Sequence, residues 1–172
     1  SLFFTTIDYC DLKLLFKDKQ QPLSSITNDT NVLLLTGIAS PKQIIVDLQQ
    51  YTNKITSLSY RDHHQFTDKD LQEVIETYKS MPSPKMIITT EKDATRLKHL
   101  ESELTELKDS LYVLPITVSF MLDQQELFNN KITSYVRKNS RNSILAKRKD
   151  DNKSKDSNNI GNRTRTISFR NN

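Results

Sequence analysis

The chain of 172 residues is long enough for one domain, and its 25 basic and 21 acidic residues give a formal net charge of +4. Its single cysteine, Cys10, excludes an internal disulfide and a thiolate-only metal site, and no apolar run approaches the roughly 20 residues of a membrane-spanning helix. Its two glycines, Gly37 and Gly161, are too far apart for a Walker A loop and too few for a dinucleotide fingerprint.

The charge is distributed unevenly along the chain. Residues 137–172 hold 11 Lys and Arg against 3 Asp and Glu, whereas residues 1–136 hold 14 against 18. The basic character therefore belongs to the tail, and it does not indicate that the folded body binds nucleic acid.

The N-terminus lacks the charged start and apolar core of a signal peptide. Its first residues predict a strand that would begin upstream of Ser1. We therefore expect the chain to be part of a longer protein; a processed N-terminus is the alternative. We divide the sequence into a linker or hinge strand region (residues 1–31), an α/β body (32–138) and a disordered basic tail (139–172).

The body alternates strands with helices. Apolar runs predict strands at residues 32–35, 55–59, 86–88 and 111–114. Helices are expected to start at Ser40–Pro41 and at Thr67–Asp68, and a third to carry Leu97, Leu100, Leu104 and Leu107 on one face. A last helix is expected over about residues 120–136. Such alternation predicts an α/β fold with a parallel sheet and flanking helices.

Polar residues follow three of these strands. Asp62, His63 and His64 come after the second strand, Gly37 follows the first, and the third ends in Thr90-Glu91-Lys92-Asp93. Because open α/β sheets bind ligands beyond the carboxyl ends of their strands, these turns are the candidate site.

Each of these features also has a plain structural interpretation. His63 beside Asp62 can shuttle a proton near neutral pH, although a lone histidine is more often a surface or capping residue, as we expect for His99. A metal site at His63 and His64 is less plausible, because adjacent side chains on an extended segment diverge.

The third turn resembles a helix N-cap. Thr90 with Asp93 three residues later has the spacing of a capping box, and acidic residues suit a first helical turn. Lys92 does not fit that interpretation, so we expect it to contact an anion or Asp62. Gly37 indicates either a tight turn or a close approach of the backbone to a ligand.

Taken in order, these turns resemble the C-terminal half of the tetraacyldisaccharide 4′-kinase family, the lipid A pathway kinases of bacteria with lipopolysaccharide outer membranes. The similar segments are residues 35–39 with Pro41, 62–64 with Phe66, and 89–94; residues 3–5 resemble the segment that precedes this half. The similarity covers roughly residues 1–140.

The resemblance implies a P-loop-type kinase that uses ATP and Mg²⁺ to phosphorylate the 4′-hydroxyl of an acylated disaccharide-1-phosphate at the cytoplasmic face of the inner membrane. It implies a peripheral enzyme with no nucleic-acid partner. Carried over, the family's catalytic histidine is His63, which would pair with an aspartate near the P-loop. Asp62 is assigned with it to the catalytic pair, while Gly37, Glu91, Lys92 and Asp93 would lie near substrate or phosphate.

The family's glycine-rich loop and magnesium ligands have no counterpart in this sequence, so we expect this chain alone neither to bind ATP tightly nor to turn over. Two alternatives stay open. One is a binding module that recruits anionic membrane or nucleic acid through the basic tail. The other is an unrelated small α/β enzyme, complete in itself.

Overall fold

The computed structural model describes residues 2–140. These residues divide into two units, Thr5–Ser119 and a unit that joins residues 2–4 to residues 120–140. The basic tail predicted to be disordered lies outside the described residues from residue 141 onward.

Eight strands are described: β1 (Thr5–Tyr9), β2 (Leu12–Leu14), β3 (Gln20–Gln21), β4 (Asn31–Thr36), β5 (Ile55–Ser59), β6 (Lys85–Thr90), β7 (Leu111–Leu114) and β8 (Ile116–Phe120). The helices are α1 (Lys42–Leu48), α2 (Asp68–Ser80), α3 (Glu91–Leu97) and α4, which covers residues 125–140. Strands β1 and β8 form a separate two-stranded sheet.

The main sheet has the strand order β3-β2-β7-β6-β4-β5. Strands β5, β4, β6 and β7 are parallel, as predicted. The sheet as a whole is mixed, because β2 pairs antiparallel with both β3 and β7. Five residues connect β2 to β3, which is too few for the crossover that a parallel pair needs.

Both faces of the sheet are covered. Leu33 and Leu35 of β4 lie in one buried cluster with residues of α2 and α3, whereas Val32 and Leu34 lie in a second cluster with Leu48 of α1. This two-sided burial explains why β4 is a continuous apolar run without polar alternation.

Of the two helix starts predicted from capping residues, one differs in the structure. Thr67 caps α2 in a complete capping box with Asp70. The expected Ser40 cap of α1 is wrong: Pro41 already has helical backbone angles and holds the N-cap position, and no side chain caps the helix.

The predicted third helix is also shorter than expected. Helix α3 ends at Leu97, and two 3-10 turns follow, Lys98–Leu100 and Thr105–Leu107. The hydroxyl of Thr105 donates to the carbonyl of Ser102 at 2.8 Å, a local bond that competes with regular helix. Leu97, Leu104 and Leu107 are nevertheless fully buried in the same cluster, so their burial did not require one continuous helix.

The second unit contains α4 and the first residues of the chain. The ring of Phe128 packs against those of Phe3 and Phe120, with centroids 5.3 and 4.8 Å apart. Helix α4 starts later than predicted, because Leu122 and Asp123 have positive φ angles, 58° and 52°, which a helix does not allow. Within residues 2–140, no helix is long and apolar enough to cross a membrane.

Leu104→Ala should lower the free energy of unfolding by about 2–5 kcal/mol, because it leaves a cavity in the buried cluster. Urea unfolding followed by circular dichroism measures this change. The matched variant Val46→Ala, on an exposed position of α1, should stay within about 0.5 kcal/mol of the parent. Equal effects of the two substitutions would contradict the packing described for residues 98–107.

Candidate functional site

The candidate site lies where successive strands are added on opposite sides of β4. From β4 the chain passes to β5 on one side, and it then returns to place β6 on the other side of β4. In register, Thr36 pairs with Ser59 and Leu35 with Thr89, so these three strands end at nearly the same level. The crevice at such a topological switch point is the usual ligand site of open α/β sheets.

A buried carboxylate joins the turns after β4 and β6. Asp93 is fully buried, and it accepts hydrogen bonds from the Gly37 N–H at 2.9 Å and from the Thr90 hydroxyl at 2.7 Å. Arg96 Nη1 donates to the other carboxylate oxygen at 3.2 Å. Thr90 caps α3 through the Asp93 N–H, as the spacing suggested, while the Asp93 side chain reaches across to Gly37.

Gly37 is a glycine because this carboxylate is so close. A Cβ added at Gly37 would lie 2.9 Å from Asp93 Oδ1 and 3.5 Å from the carbonyl oxygen of Arg61. The backbone of Gly37 does not have a positive φ. Lack of space, and not backbone conformation, therefore selects glycine here. The close approach that the sequence suggested is made by the protein's own side chain.

Asp62 and Lys92 form an ion pair across the turns after β5 and β6. The hydrogen bond from Lys92 lowers the pKa of Asp62, and the neighbouring His63 contributes in the same direction. This contact accounts for a cation at the N-terminus of α3, where the helix dipole alone would disfavour it.

Asp62, His63, Lys92, Asp93 and Arg96 form what we call the polar cluster. His63 has the most exposed side chain of the five. Its side chain is 76% exposed, and its backbone has a φ of 62°. The imidazole lies between Asp62, with Nε2 3.5 Å from a carboxylate oxygen, and Arg96, with Nδ1 3.4 Å from Nη2. The ring is thus held between a carboxylate and a guanidinium while most of it faces solvent.

His64 is placed quite differently from His63. Its ring stacks on Tyr60 at a centroid distance of 4.7 Å, and its Nε2 lies 2.9 Å from Asp70 Oδ2. Asp70 also accepts from the Thr67 N–H at 2.8 Å. The Thr67 contacts, with His64 adding to them, lower the pKa of Asp70 from 3.8 to about 2. His64 therefore fixes the loop to the start of α2.

The hydrogen bond of Glu91 goes to a different strand from those of the other predicted site residues. Its Oε2 accepts from the Ile116 N–H at 3.4 Å, because successive helix residues point about 100° apart. Within residues 2–140, no group of three or more His, Cys, Asp or Glu side chains is placed to hold a metal ion.

An apolar cleft of about 330 Å³ opens beside the polar cluster. Its walls combine side chains from β1, the turn after β4, α1, the start of α3 and the strands β7 and β8: Tyr9, Ile38, Ile44, Leu114 and Ile116, with Thr90, Glu91 and Lys92 at one side.

Sequence reasoning located Asp62, His63, Lys92, Asp93 and Gly37 at one edge, and the structure brings them together. It missed Arg96 and Asp70. The spacing of Arg96 three residues after Asp93 was visible, but it gave no sign that the guanidinium would also reach His63. Asp70 was visible as the third residue after Thr67 in a capping-box pattern.

The comparisons with known proteins give a consistent result. The family model for tetraacyldisaccharide-1-P 4′-kinase matches residues 5–137. A tetraacyldisaccharide 4′-kinase of Phocaeicola vulgatus is 49% identical over 144 residues, which cover 83% of this chain and 39% of the relative. The kinase of Bacteroides thetaiotaomicron is 42% identical over 157 residues, covering 86% and 41%. The chain thus spans about two fifths of the length of these relatives.

A solved structure, described as an "apo" form of LpxK from Aquifex aeolicus in complex with ATP, aligns with a TM-score of 0.45 at 17% sequence identity. It covers 73% of this chain and 33% of that chain. This similarity is too low to support any statement about the present chain.

Gly37→Ala should destabilise the protein by about 1–3 kcal/mol, because the new methyl group meets the Asp93 carboxylate. Asp93→Ala should cost about 3–5 kcal/mol, because it leaves the Gly37 N–H and the Arg96 guanidinium without their partner. In the double variant the clash is gone, so its cost should be smaller than the sum of the two single costs. A double-mutant cycle by urea unfolding measures this coupling, and strict additivity would contradict the contact.

Asp70→Asn should destabilise the protein most near neutral pH and progressively less in acid. The pKa of Asp70 is lower in the folded protein than the usual 3.8, so its stabilisation is present above about pH 4 and is lost as the pH falls toward 2. Unfolding measured at several pH values from 6 to 2 tests this. An equal loss of stability at pH 6 and at pH 2 would contradict the contacts of Asp70 with Thr67 and His64.

Proposed function

This chain belongs to the tetraacyldisaccharide-1-P 4′-kinase family, and we propose that it is the C-terminal portion of an ATP-dependent kinase. The enzyme would transfer the γ-phosphoryl group of ATP to the 4′-hydroxyl of an acylated disaccharide-1-phosphate. The relatives that carry this name support the proposal, together with the chain's coverage of about two fifths of their length.

One observation carries the proposed role of this chain. At the edge of the sheet, His63 is exposed, and its imidazole lies between the Asp62 carboxylate and the Arg96 guanidinium. Phosphoryl transfer depends mainly on positioning and on charge stabilisation. A solvent-facing imidazole held in this way suits the transfer of the proton that leaves the attacking hydroxyl.

The neighbouring groups take supporting roles in this mechanism. Asp62 orients the imidazole of His63 and is itself held by Lys92. Lys92 and Arg96, each paired with a carboxylate of the protein, Asp62 and Asp93, would be the cations nearest to the phosphate oxygens. Asp93 and Gly37 act indirectly, because they fix the turns on which the others stand. Glu91, which faces the apolar cleft, belongs to the neighbourhood of the acceptor substrate.

We propose that ATP and Mg²⁺ are held mainly by residues outside this chain. The two glycines of the sequence cannot form a Walker A loop. Magnesium would neutralise the charge on the transferred phosphate, and this chain would contribute the imidazole and the cations beside it. The acylated acceptor would place the enzyme peripherally on the cytoplasmic face of the inner membrane, and no nucleic-acid partner is expected.

His63→Ala in the full-length enzyme should lower kcat by about 10²–10⁴, the usual contribution of a positioned proton-transfer group. Initial rates of phosphate transfer from labelled ATP to the acylated acceptor measure this. The melting temperature should stay close to that of the parent, because the side chain is exposed.

His99→Ala is the matched control, since His99 is exposed on a 3-10 turn and the structure shows no hydrogen bond or ion pair between it and Asp62, His63 or Arg96; it should keep kcat within a few-fold of the parent. A His63→Ala enzyme that is folded and equally active would refute the proposed role of His63.

A further inference from the structure

The guanidinium of Arg96 contacts two other members of the polar cluster. Its Nη1 lies 3.2 Å from Asp93 Oδ1, and its Nη2 lies 3.4 Å from Nδ1 of the His63 imidazole. We infer that Arg96 is a positioning residue that holds the His63 ring in one orientation with its single proton on Nε2. This inference rests on the proposed function of His63, and it adds the group that determines which ring nitrogen carries the proton.

The chemistry of the two contacts of the imidazole determines where its proton lies. A guanidinium has donors only, so Nδ1 of His63 accepts in this contact and carries no proton. On the other side of the ring, Nε2 lies 3.5 Å from Oδ2 of Asp62, a carboxylate that is also paired with Lys92. Because an ionised carboxylate only accepts, this contact requires the proton on Nε2. The two contacts therefore favour the same tautomer of the neutral ring.

Arg96 is held more firmly than the histidine that it contacts. Its side chain is 18% exposed, against 76% for that of His63, and its partner Asp93 is fully buried. Arg96 stands three residues after Asp93 on α3, a spacing that places both side chains on one face of the helix. Asp93 is fixed in turn by the Gly37 N–H. The exposed imidazole is therefore oriented by a buried network and not by its own packing.

The two contacts of Arg96 explain why an arginine suits this position better than a lysine would. The guanidinium is planar and presents its donors in a rigid fork, so separate nitrogens contact Asp93 and His63 in fixed directions. A lysine would retain a positive charge for Asp93, but its single ammonium on a flexible stem has no second donor group fixed toward His63. Arg96→Lys therefore separates the charge of this residue from its positioning role.

Steady-state kinetics of the full-length enzyme test the inference. Arg96→Lys should lower kcat by about 10–100-fold, because a displaced imidazole loses its alignment with the reacting hydroxyl. The KM values for ATP and for the acylated acceptor should stay within about twofold of the parent, because positioning acts on the chemical step and not on binding.

Lys98→Ala is the control for these kinetics. Lys98 is an exposed cation on the turn after α3, and its side chain makes no hydrogen bond or ion pair within residues 2–140. This variant should keep kcat within about twofold of the parent. A kcat of Arg96→Lys that matches that of Lys98→Ala would overturn the inference. A higher KM for ATP with an unchanged kcat would also overturn it, because Arg96 would then bind the nucleotide.

A double variant shows whether Arg96 acts through His63. In the His63→Ala background no imidazole is left to be positioned, so Arg96→Lys should lower kcat by less than about threefold. If Arg96→Lys lowers kcat by the same factor in both backgrounds, the two residues act independently and the positioning role is refuted.

Proton–nitrogen correlation spectra of isotope-labelled histidine report the tautomer directly and need no activity. The His63 signals are identified by their absence from His63→Ala. At about pH 8.5, above the usual titration range of histidine, the parent should show the Nε2–H form, and Arg96→Lys should show a measurable share of the Nδ1–H form. Equal tautomer ratios in the two proteins would overturn the inference.

The outcomes separate this inference from the proposed function. A full-length parent without kinase activity on the acylated acceptor would refute the proposed function, whereas the spectra would still decide whether Arg96 places the ring proton of His63. An active parent whose kcat and tautomer are both unaffected by Arg96→Lys refutes only the inference. If Arg96→Lys does not fold, Arg96→Gln replaces it with the same expected direction of change in kcat and in tautomer, and unchanged values would count against the inference.

Discussion

The geometry of the candidate site depends on one buried charge. Removing a carboxylate from water is costly, and Asp93 is tolerated only because donors from three places surround it. These donors tie the turn after β4 to the start of α3, across the crevice where the sheet changes direction. Arg96 then extends the connection outward to His63. The fold thus uses the position where many α/β proteins hold a ligand's phosphate to fix its own loops, and the Arg96 contact places His63 beside that junction.

The two adjacent histidines in the loop after β5 have different surroundings: His64 is packed and hydrogen-bonded, and His63 is exposed. His64 packs between aromatic rings and bonds to Asp70, which anchors the loop to the capped start of α2. His63 is turned to solvent by its backbone. A rigid neighbour allows an exposed side chain to keep a defined direction, and such preorganisation is what the proposed role of His63 in phosphoryl transfer would require.

The sequence was informative wherever burial controls the pattern. The four apolar runs correctly predicted the parallel strands, and the residues after them met at one edge because parallel strands end together. Prediction failed where long-range contacts decide. The antiparallel addition of β2 depends on pairing with a strand about 100 residues later, and the leucines after α3 are buried by the sheet and not by helical periodicity. The role of Arg96 depends on which loop lies opposite, which spacing along the chain does not record.

The backbone conformation of His63 affects which substitutions would stabilise this protein. A φ of 62° is sterically unfavourable for a residue with a side chain, whereas glycine adopts it without steric strain. Selection for thermal robustness alone would therefore favour glycine at this position and would discard the imidazole. Under the proposed function, the histidine represents a compromise in which some folding free energy is given up for proton transfer, and thermostabilised forms of this protein should be checked at position 63 first.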